Sequence, residues 1–470
     1  MSVIETDYLI VGAGAAGMAF ADALIAGSDT DVVMVDRRHA PGGHWNDAYP
    51  FVRLHQPSAN YGVDSLVLGS DSIDTTGPNA GFYERATGVE IRDYYRKVLE
   101  GQLLPSGQVR FFGMCEYLAN GSGEHSFTSR LTRTTTSVRV RRKVVDGTYL
   151  EMEIPATHTP AFTVDADAKL IPVGDLVELA DAPGGYTILG AGKTAMDACS
   201  WLLDNGVDPD LIRWIKPRES WTFDRASWQP RDLVVSTFEI LSLGIEALAQ
   251  ASEPTDLYRR LEACGAIARL DTTVEPTMFR GATLSKAERE SLGQIERVVR
   301  NGRVLHLGAD RIELEGGTIP TNRAEVHVDC TAYGVGAAPA RPIVEPGRIT
   351  LQSLMGGFTS FNAALIGFVE AARDDDAEKN RLCPPIAPPS RAIDWISTMC
   401  GGIRSFAVHA AESDLAAWLT NSRLNLTRDL ADHMSDPRVQ PALARWAGNM
   451  EPALKNADRL LAESMTPAGT

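Results

Sequence analysis

Cysteine is scarce in this chain of 470 residues, and the six that occur are widely separated. They form no CxxC pair, and none stands with a histidine at the spacing typical of zinc ligands. The sequence therefore predicts no dithiol redox centre and no metal site. Any redox chemistry must come from a bound cofactor.

An excess of positive charge is also lacking, because 45 basic residues stand against 61 acidic ones for a net charge of -16. Such a chain repels nucleic-acid backbones and anionic lipid headgroups, so neither partner is predicted. The start, MSVIETD, lacks the basic segment of a secretory signal. The most apolar run, residues 9–27, contains Asp22 and the glycines Gly12, Gly14 and Gly17, which suit a nucleotide-binding turn better than a membrane span. We expect a cytoplasmic protein, and the sequence leaves open whether it forms a homodimer.

Glycine, in contrast, is abundant at one significant place near the start. The apolar residues 8–11 lead into Gly12-Ala13-Gly14-Ala15-Ala16-Gly17, and a helical pattern follows. In such a turn the first glycine allows the sharp bend, the second admits a pyrophosphate and the third lets the helix pack on the strand. A second apolar strand, 32–35, ends in an acid suited to a ribose hydroxyl. The predicted contacts of a dinucleotide, FAD or NAD, are Gly12, Gly14, Ala16, Gly17, Asp36 and Arg37.

A second motif of this kind follows the apolar residues 186–189. It reads Gly190-Ala191-Gly192-Lys193-Thr194-Ala195, with alanine where the helix packs. The next strand, 211–215, ends in Lys216-Pro217-Arg218 instead of an acid, which favours the 2′-phosphate of NADPH over NADH, although a solvated strand end would explain these cations as well. A phosphate-binding P-loop would need glycine at the position of Thr187, so an ATPase is not predicted.

The segment 41–53, PGGHWNDAYPFVR, resembles the GG-x-W…YP…R segment of the class B flavin monooxygenases, which include the flavin-containing and Baeyer–Villiger monooxygenases. In that family a GG turn carries the chain over the flavin, so the resemblance implies FAD at the first motif. The glycines allow the backbone to approach a ligand closely, and the arginine suits a phosphate or a reduced-flavin anion. The tryptophan offers a flat face to the flavin, although it could instead fill the core. The flavin contacts implied are Gly43, His44, Trp45, Arg53 and Gln56.

The resemblance also implies the domain order of an α/β protein with two dinucleotide-binding Rossmann-like domains. Gly147-Thr148-Tyr149 is similar to the crossing towards the NADPH domain, and 326–334 (VHVDCTAYG) is similar to a family strand that we interpret as the return. We predict an FAD domain over 1–160, an NAD(P)H domain over 161–325 with a helical insertion at 233–292, a return segment over 326–388, and a C-terminal helical extension over 389–470.

Two motifs of the family are absent. The F-x-G-x-x-x-H sequence expected before the second motif is missing at Phe162-Thr163-Val164, and no GD pair occurs around 357–362. These departures are typical of a divergent branch, and they disfavour Baeyer–Villiger chemistry in particular.

The activity that the resemblance implies is oxygen insertion into a small-molecule substrate. NADPH would reduce FAD, O₂ would be captured as a C4a-hydroperoxyflavin, and a nitrogen or sulfur atom is favoured over a ketone as the acceptor. Arg53, His55 and Gln56 are the catalytic candidates that this pattern brings near the flavin, although a satisfied polar network would explain them about as well. Two other functions stay open: an NAD(P)H-dependent flavin reductase or dehydrogenase of an unknown acceptor, and a non-redox FAD-binding module.

Overall fold

The structure is a computed structural model that describes residues 3–119, 124–150, 152–335, 338–355 and 358–465. Residue 357, at the start of the segment where the family has its GD pair, lies outside these ranges. The strands are β1 (Val3–Val11), β2 (Val32–Val35), β3 (Val109–Phe112), β4 (Cys115–Ala119), β5 (His125–Ser129), β6 (Thr135–Asp146), β7 (Met152–Glu153), β8 (Thr163–Val164), β9 (Leu170–Pro172), β10 (Gly185–Leu189), β11 (Ile212–Ile215), β12 (Ser220–Asp224), β13 (Ile267–Ala268), β14 (Met278–Leu284), β15 (Val298–Val299), β16 (Val304–Leu307), β17 (Arg311–Leu314), β18 (Gly317–Pro320), β19 (Glu325–Asp329), β20 (Gly334–Val335), β21 (Val344–Glu345) and β22 (Arg348–Thr350).

The α-helices alternate with strands in both halves of the chain and then dominate its C-terminal part. They are α1 (Ala15–Gly27), α2 (Gly88–Val98), α3 (Lys193–Asp204), α4 (Val234–Gln250), α5 (Pro254–Ala263), α6 (Lys286–Leu292), α7 (Thr359–Ala372), α8 (Asp376–Leu382), α9 (Asp394–Ala410), α10 (Ser413–Asn421) and α11 (Val439–Met465). Among the described residues no helix is both long and apolar enough to cross a membrane.

The first sheet is centred on β1. Its main path runs β21-β22-β6-β1-β2-β3, and β4 and β5 extend it as an antiparallel pair beside β6. Strands β6, β1, β2 and β3 run parallel, so both faces of the sheet must be covered. Helices α1 and α7 cover one face, where all of α1 from Gly17 to Leu24 is buried. The other face carries a separate apolar cluster that includes Leu9, Val33 and Phe127.

The second sheet is entirely parallel, with the order β15-β11-β10-β19-β9. Two sheets whose central strands are parallel, with helices packed on them, confirm the predicted α/β fold with two Rossmann-like domains. The boundary predicted at residue 326, however, falls inside β19, whose residues Glu325 to Asp329 pair with Gly185 to Leu189 of β10. The return to the first domain therefore begins only after this strand.

The two crossings between the sheets run side by side. Strand β7 of the first crossing pairs antiparallel with β20 of the second. The Tyr149 hydroxyl donates to the carbonyl of Pro339 at 2.6 Å, and His158 Nε2 lies 2.7 Å from an Asp329 carboxylate oxygen. The domains are consequently joined by a paired ribbon rather than by two independent strands.

The helical insertion and most of the C-terminal extension form one unit. Strands β12, β13 and β14 make a small sheet on which α4, α5, α9 and α11 share a single apolar core that includes Trp221, Phe279 and Trp395. Helix α10 instead packs on the first domain through Leu415. We call the β12–β14 sheet with its four helices the helical unit. It lies beside both nucleotide-binding domains and supplies part of the wall of the cavity between them.

Candidate functional site

Both glycine-rich turns open into the same cavity, which has a volume of about 1380 Å³. Val11, Val35 and Ile215, at the carboxyl ends of three parallel strands, line it, as expected for the ligand site of an open α/β sheet. The structure brings nearly all the predicted site residues to its wall. Those that line the cavity are Gly12, Gly14, Ala16, Asp36, Arg37, Gly43, His44, Trp45, Arg53, His55, Gln56, Gly190, Gly192, Lys193, Thr194 and Arg218.

The turn at Gly12 packs against the glycine turn at Gly42-Gly43. Gly12 has a φ of +97°, and a Cβ on Gly17 would stand 2.0 Å from the Gly12 carbonyl oxygen, so helix and turn pack as closely as the motif requires. Gly43, at φ +57°, approaches Gly14 so closely that a Cβ on Gly43 would lie 2.9 Å from the Gly14 Cα. The Gly42 amide donates to the Ala13 carbonyl at 2.8 Å. Gly43 therefore cannot gain a side chain at this contact without moving, whereas a Cβ on Gly14 would lie 3.5 Å from the Gly43 Cα.

Asp36 braces the same turn. One of its carboxylate oxygens accepts from the Ala13 amide at 2.6 Å and the other from the Arg38 amide at 2.7 Å. The carboxylate still borders the cavity, and each oxygen has a second lone pair that can accept from a ribose hydroxyl.

Trp45 lies between the core of the first domain and the cavity. It is only 8% exposed, and its indole Nε1 donates to the Tyr61 hydroxyl at 2.7 Å, so most of the ring fills the core of the first domain. One edge borders the cavity beside His44, whose ring centroid lies 4.9 Å away. Burial, helped by the charge of Arg38, lowers the pKa of His44 to about 4, so this imidazole is neutral at physiological pH.

The predicted catalytic residues follow one another along the cavity wall. Arg53 donates from Nη1 to the Arg85 carbonyl at 3.1 Å, and Gln56 donates to the Asn60 carbonyl at 2.8 Å. His55 faces the open cavity yet is surrounded by protein, and this burial, together with the charge of Lys193, lowers its pKa to about 3. Arg53 and Gln56 are thus positioned by hydrogen bonds to backbone carbonyls, and His55 is neutral.

The second turn, at Gly190 to Ala195, leaves more space for a ligand beside its backbone than the first turn does. Gly190, at φ +130°, cannot carry a side chain because a Cβ would lie 2.5 Å from the Cys330 carbonyl oxygen, whereas a Cβ on Gly192 would meet nothing within 4 Å. The free space at Gly192 suits the close approach of a pyrophosphate. Lys193 pairs with Asp197 one helical turn later, and Asp197 accepts from the Tyr49 hydroxyl of the first domain at 2.7 Å.

Lys216 does not lie where the sequence motif predicted. It is 3% exposed, pairs with Glu219 at 2.6 Å and lies over the ring of Trp214, so its ammonium group points into the protein and does not border the cavity. The strand end alone could not reveal this, because the direction of the side chain depends on the buried carboxylate three residues later.

Arg218 does border the cavity, and two arginines that the sequence analysis missed accompany it. Arg280 and Arg303 also line this end, and the pKa of Arg218 is lowered by burial and by the charges of Arg303 and Arg280. Among the described residues Arg218 and Arg303 form no ion pair, whereas Arg280 lies 4.0 Å over the ring of Tyr333. Three guanidinium groups thus lie beside the second turn. They come from β14, from the start of β16 and from the segment after β11, so no local sequence motif reveals that they are close together.

Fold and cavity define a protein with two dinucleotide-binding α/β domains whose sites meet. Residues 10–72 match the family model described as an NAD(P)-binding Rossmann-like domain. The uncharacterized proteins Rv2000 of Mycobacterium tuberculosis and Mb2023 of Mycobacterium bovis are each 44% identical over 439 residues, which covers 93% of this chain and 81% of theirs. The chain belongs to the family of these mycobacterial proteins.

Solved structures with a related chain course include two monooxygenases. A flavin-containing monooxygenase from Stenotrophomonas maltophilia is 13% identical with a TM-score of 0.43, covering 88% of this chain and 99% of that one. An oxidized steroid monooxygenase bound to NADP is 13% identical with a TM-score of 0.49, covering 78% of this chain and 86% of that one.

Proposed function

We propose that the protein is an FAD-dependent, NADPH-consuming monooxygenase that inserts one oxygen atom of O₂ into a small-molecule substrate, with a nitrogen or sulfur acceptor favoured. The observation that carries this proposal is the single cavity shared by both glycine-rich turns. Two dinucleotides held at these turns would share this cavity, and together they would supply the redox chemistry of the reaction.

The first turn fits FAD. Its glycines leave the backbone bare, the N-terminus of α1 offers free amides to a pyrophosphate, and Asp36 offers a ribose acceptor. The N-terminus of α7 reaches the same cavity at Thr359, where its dipole favours the negative charge of a reduced flavin. FAD, when bound, would supply the redox chemistry and the activation of O₂ that no side chain provides.

The second turn fits NADPH rather than NADH. The open space at Gly192 receives the pyrophosphate, and Arg218, Arg280 and Arg303 replace the pair that the sequence motif indicated. Guanidinium groups bind phosphate through charge-assisted, often bidentate hydrogen bonds. The absence of a carboxylate at the end of β11 removes the usual partner of an unphosphorylated ribose.

The side chains at the centre of the cavity position and shield the reacting groups. His55 is neutral, so it donates or accepts a hydrogen bond without adding a charge, and Gln56 is fixed by Asn60. Arg53 adds the positive charge that a reduced flavin or a substrate oxygen requires. The helical unit forms one side of the cavity, and covering the reacting groups on that side would limit side reactions with water.

The test begins with the visible spectrum of the purified protein and the identity of the flavin released on denaturation. NADPH is then added without oxygen, and the bound flavin should lose its colour. When isotopically labelled O₂ is readmitted, a monooxygenase places the label in an organic product, whereas a reductase of another acceptor does not. A protein that binds FAD but is never reduced would support the non-redox alternative instead.

A further inference from the structure

Four aromatic side chains form one wall of the cavity on the side of the helical unit. Phe223 lies with its ring centroid 4.8 Å from that of Trp228 and 5.0 Å from that of Trp395, and Trp228 lies 5.2 Å from Phe358. All four border the cavity. We call Phe223, Trp228, Phe358 and Trp395 the aromatic wall.

The backbone beside this wall is shaped to leave space in front of it. Strands β12 and β14 lose register between Trp221 and Phe223, so β14 bulges at residues 280–282. Gly281, within the bulge, has a φ of +77°, and a Cβ there would lie 3.6 Å from Trp395 and 3.8 Å from Phe223. A side chain at 281 would stand against the two rings and fill the space. The bulge and its glycine keep the wall accessible from the cavity.

Trp228 differs from the other tryptophan of the wall. Trp395 donates its Nε1 hydrogen to the Phe279 carbonyl at 2.7 Å, which pins its indole. The Nε1 of Trp228 is buried and has no acceptor among the described residues. Buried donors are nearly always paired, and an unpaired one costs about 1–3 kcal/mol. Trp228 is held by contacts with Phe223 and Phe358, and the acceptor that its Nε1 hydrogen lacks is one that a bound molecule would supply.

The charged groups next to the wall are paired. Arg225, between Phe223 and Trp228 in the chain, is fully buried and pairs with Glu288 at 2.6 Å. Asp224 and Asp394, which adjoin Phe223 and Trp395 in the chain, each pair with an arginine. Arg280, which precedes Gly281, donates to the Ser390 hydroxyl and to the Tyr333 carbonyl. These carboxylates are therefore not free to neutralise a protonated amine, and the wall favours an uncharged ring.

We propose that the aromatic wall binds the substrate, and that this substrate is a flat, uncharged aromatic molecule carrying a hydrogen-bond acceptor that Trp228 Nε1 contacts. The ring lies against Phe223 and Trp395, with Trp228 and Phe358 at its edge. That the bound molecule is a substrate rests on the proposed monooxygenase function. The proposed binding site is supported independently by the aromatic wall, the glycine bulge and the unpaired donor.

The test uses two ketones of similar size as probes, acetophenone and cyclohexyl methyl ketone, titrated into the FAD-loaded protein by calorimetry. Aromatic ring pairs favour acetophenone, and we expect it to bind about threefold to tenfold more tightly. Phe223→Leu removes one of the two rings against which the probe lies, so it should remove that preference. Trp228→Phe keeps a ring and loses the donor, so it should weaken both ketones by a similar factor while the preference for acetophenone survives.

Trp446→Leu is the matched control. Its Nε1 is also buried without a partner among the described residues, and its ring packs on Phe238 and Phe406, but it does not border the cavity. This variant should bind both ketones as the unmodified protein does. Trp395→Leu, which removes the other ring against which the probe lies, keeps the test decisive if Phe223→Leu does not fold.

Equal affinities for the two ketones, or a preference that survives both leucine variants of the wall, would overturn the proposal. Calorimetry reports binding whether or not the flavin turns over. If NADPH fails to reduce the flavin while acetophenone is still preferred, the monooxygenase proposal fails and the aromatic site stands. If the flavin is reduced and neither ketone is distinguished, the aromatic site alone is lost.

Discussion

Replacing Glu288 by glutamine removes a carboxylate shared by two buried guanidinium groups. Glu288 lies on α6 of the second domain, 3.2 Å from Arg85 Nη2 of the first domain and 2.6 Å from Arg225 Nη2 beside the helical unit. All three side chains are at most 8% exposed. The triad therefore ties three parts of the molecule together at a point where no water screens the charges.

The size of the effect follows from the ionisation of Glu288. Burial alone would raise its pKa, but Lys193, Arg225 and Arg85 outweigh burial and lower the pKa from 4.5 to about 2. Each tenfold change in an ionisation constant corresponds to about 1.4 kcal/mol, so the charged form is stabilised by on the order of 3 kcal/mol in the folded protein. Glutamine resembles the protonated acid and can still cap α6, so Glu288→Gln should lower the free energy of unfolding by about this amount at neutral pH.

Urea unfolding followed by circular dichroism measures this difference across pH. Because the pKa of Glu288 is lower in the folded state, its contribution is fully present above pH 4.5 and is lost as the pH falls towards 2. The gap between the two proteins should thus be constant from neutral pH down to about pH 5 and shrink below it. Glu290→Gln, an exposed control on the same helix, should change little. A gap below about 1 kcal/mol at pH 7, or one that grows in acid, would refute the reasoning.

Three further predictions concern the nucleotide sites. Arg218→Ala should raise the KM for NADPH by a factor equivalent to about 1–3 kcal/mol and leave the KM for NADH nearly unchanged. The control variant, at the exposed Arg311, is Arg311→Ala and should leave both KM values unchanged. Equal increases for both nucleotides would argue against a phosphate contact. Gly43→Ala should lower the FAD content of the purified protein, because the added Cβ meets Gly14 at a backbone that disfavours side chains; full occupancy would contradict this. Lys216→Met should change the melting temperature but not the ratio of NADPH to NADH use, and a lost preference for NADPH would return this lysine to the site.

The sequence was informative wherever a function is carried by neighbouring residues. The glycine turns at Gly12 and Gly190 each place bend, phosphate approach and helix packing within six residues, so strand, turn and helix could be predicted from local order. The two-domain α/β fold followed from their repetition and is confirmed. The resemblance at residues 41–53 predicted a GG turn over the flavin, and the structure adds that this turn packs against the first, since Gly43 contacts Gly14.

What the sequence could not show depends on long-range packing. Arg280 and Arg303 join Arg218 only because β14 and β16 lie near the end of β11, and the aromatic wall unites residues 223, 228, 358 and 395. Lys216 pairs with a buried carboxylate, and the strand end alone does not reveal this direction of its side chain. The domain boundary predicted at 326 falls inside β19, which completes the second sheet before the chain crosses back.

The central claim is that two dinucleotides meet in one cavity and exchange a hydride there. Stopped-flow mixing of the FAD-loaded protein with NADPH in the absence of oxygen tests it most directly, with NADPH carrying either hydrogen or deuterium at the transferred position of the nicotinamide ring. We predict that the visible absorption of the oxidised flavin disappears, and that it disappears more slowly with deuterium. A flavin spectrum that does not change on addition of NADPH would contradict the account.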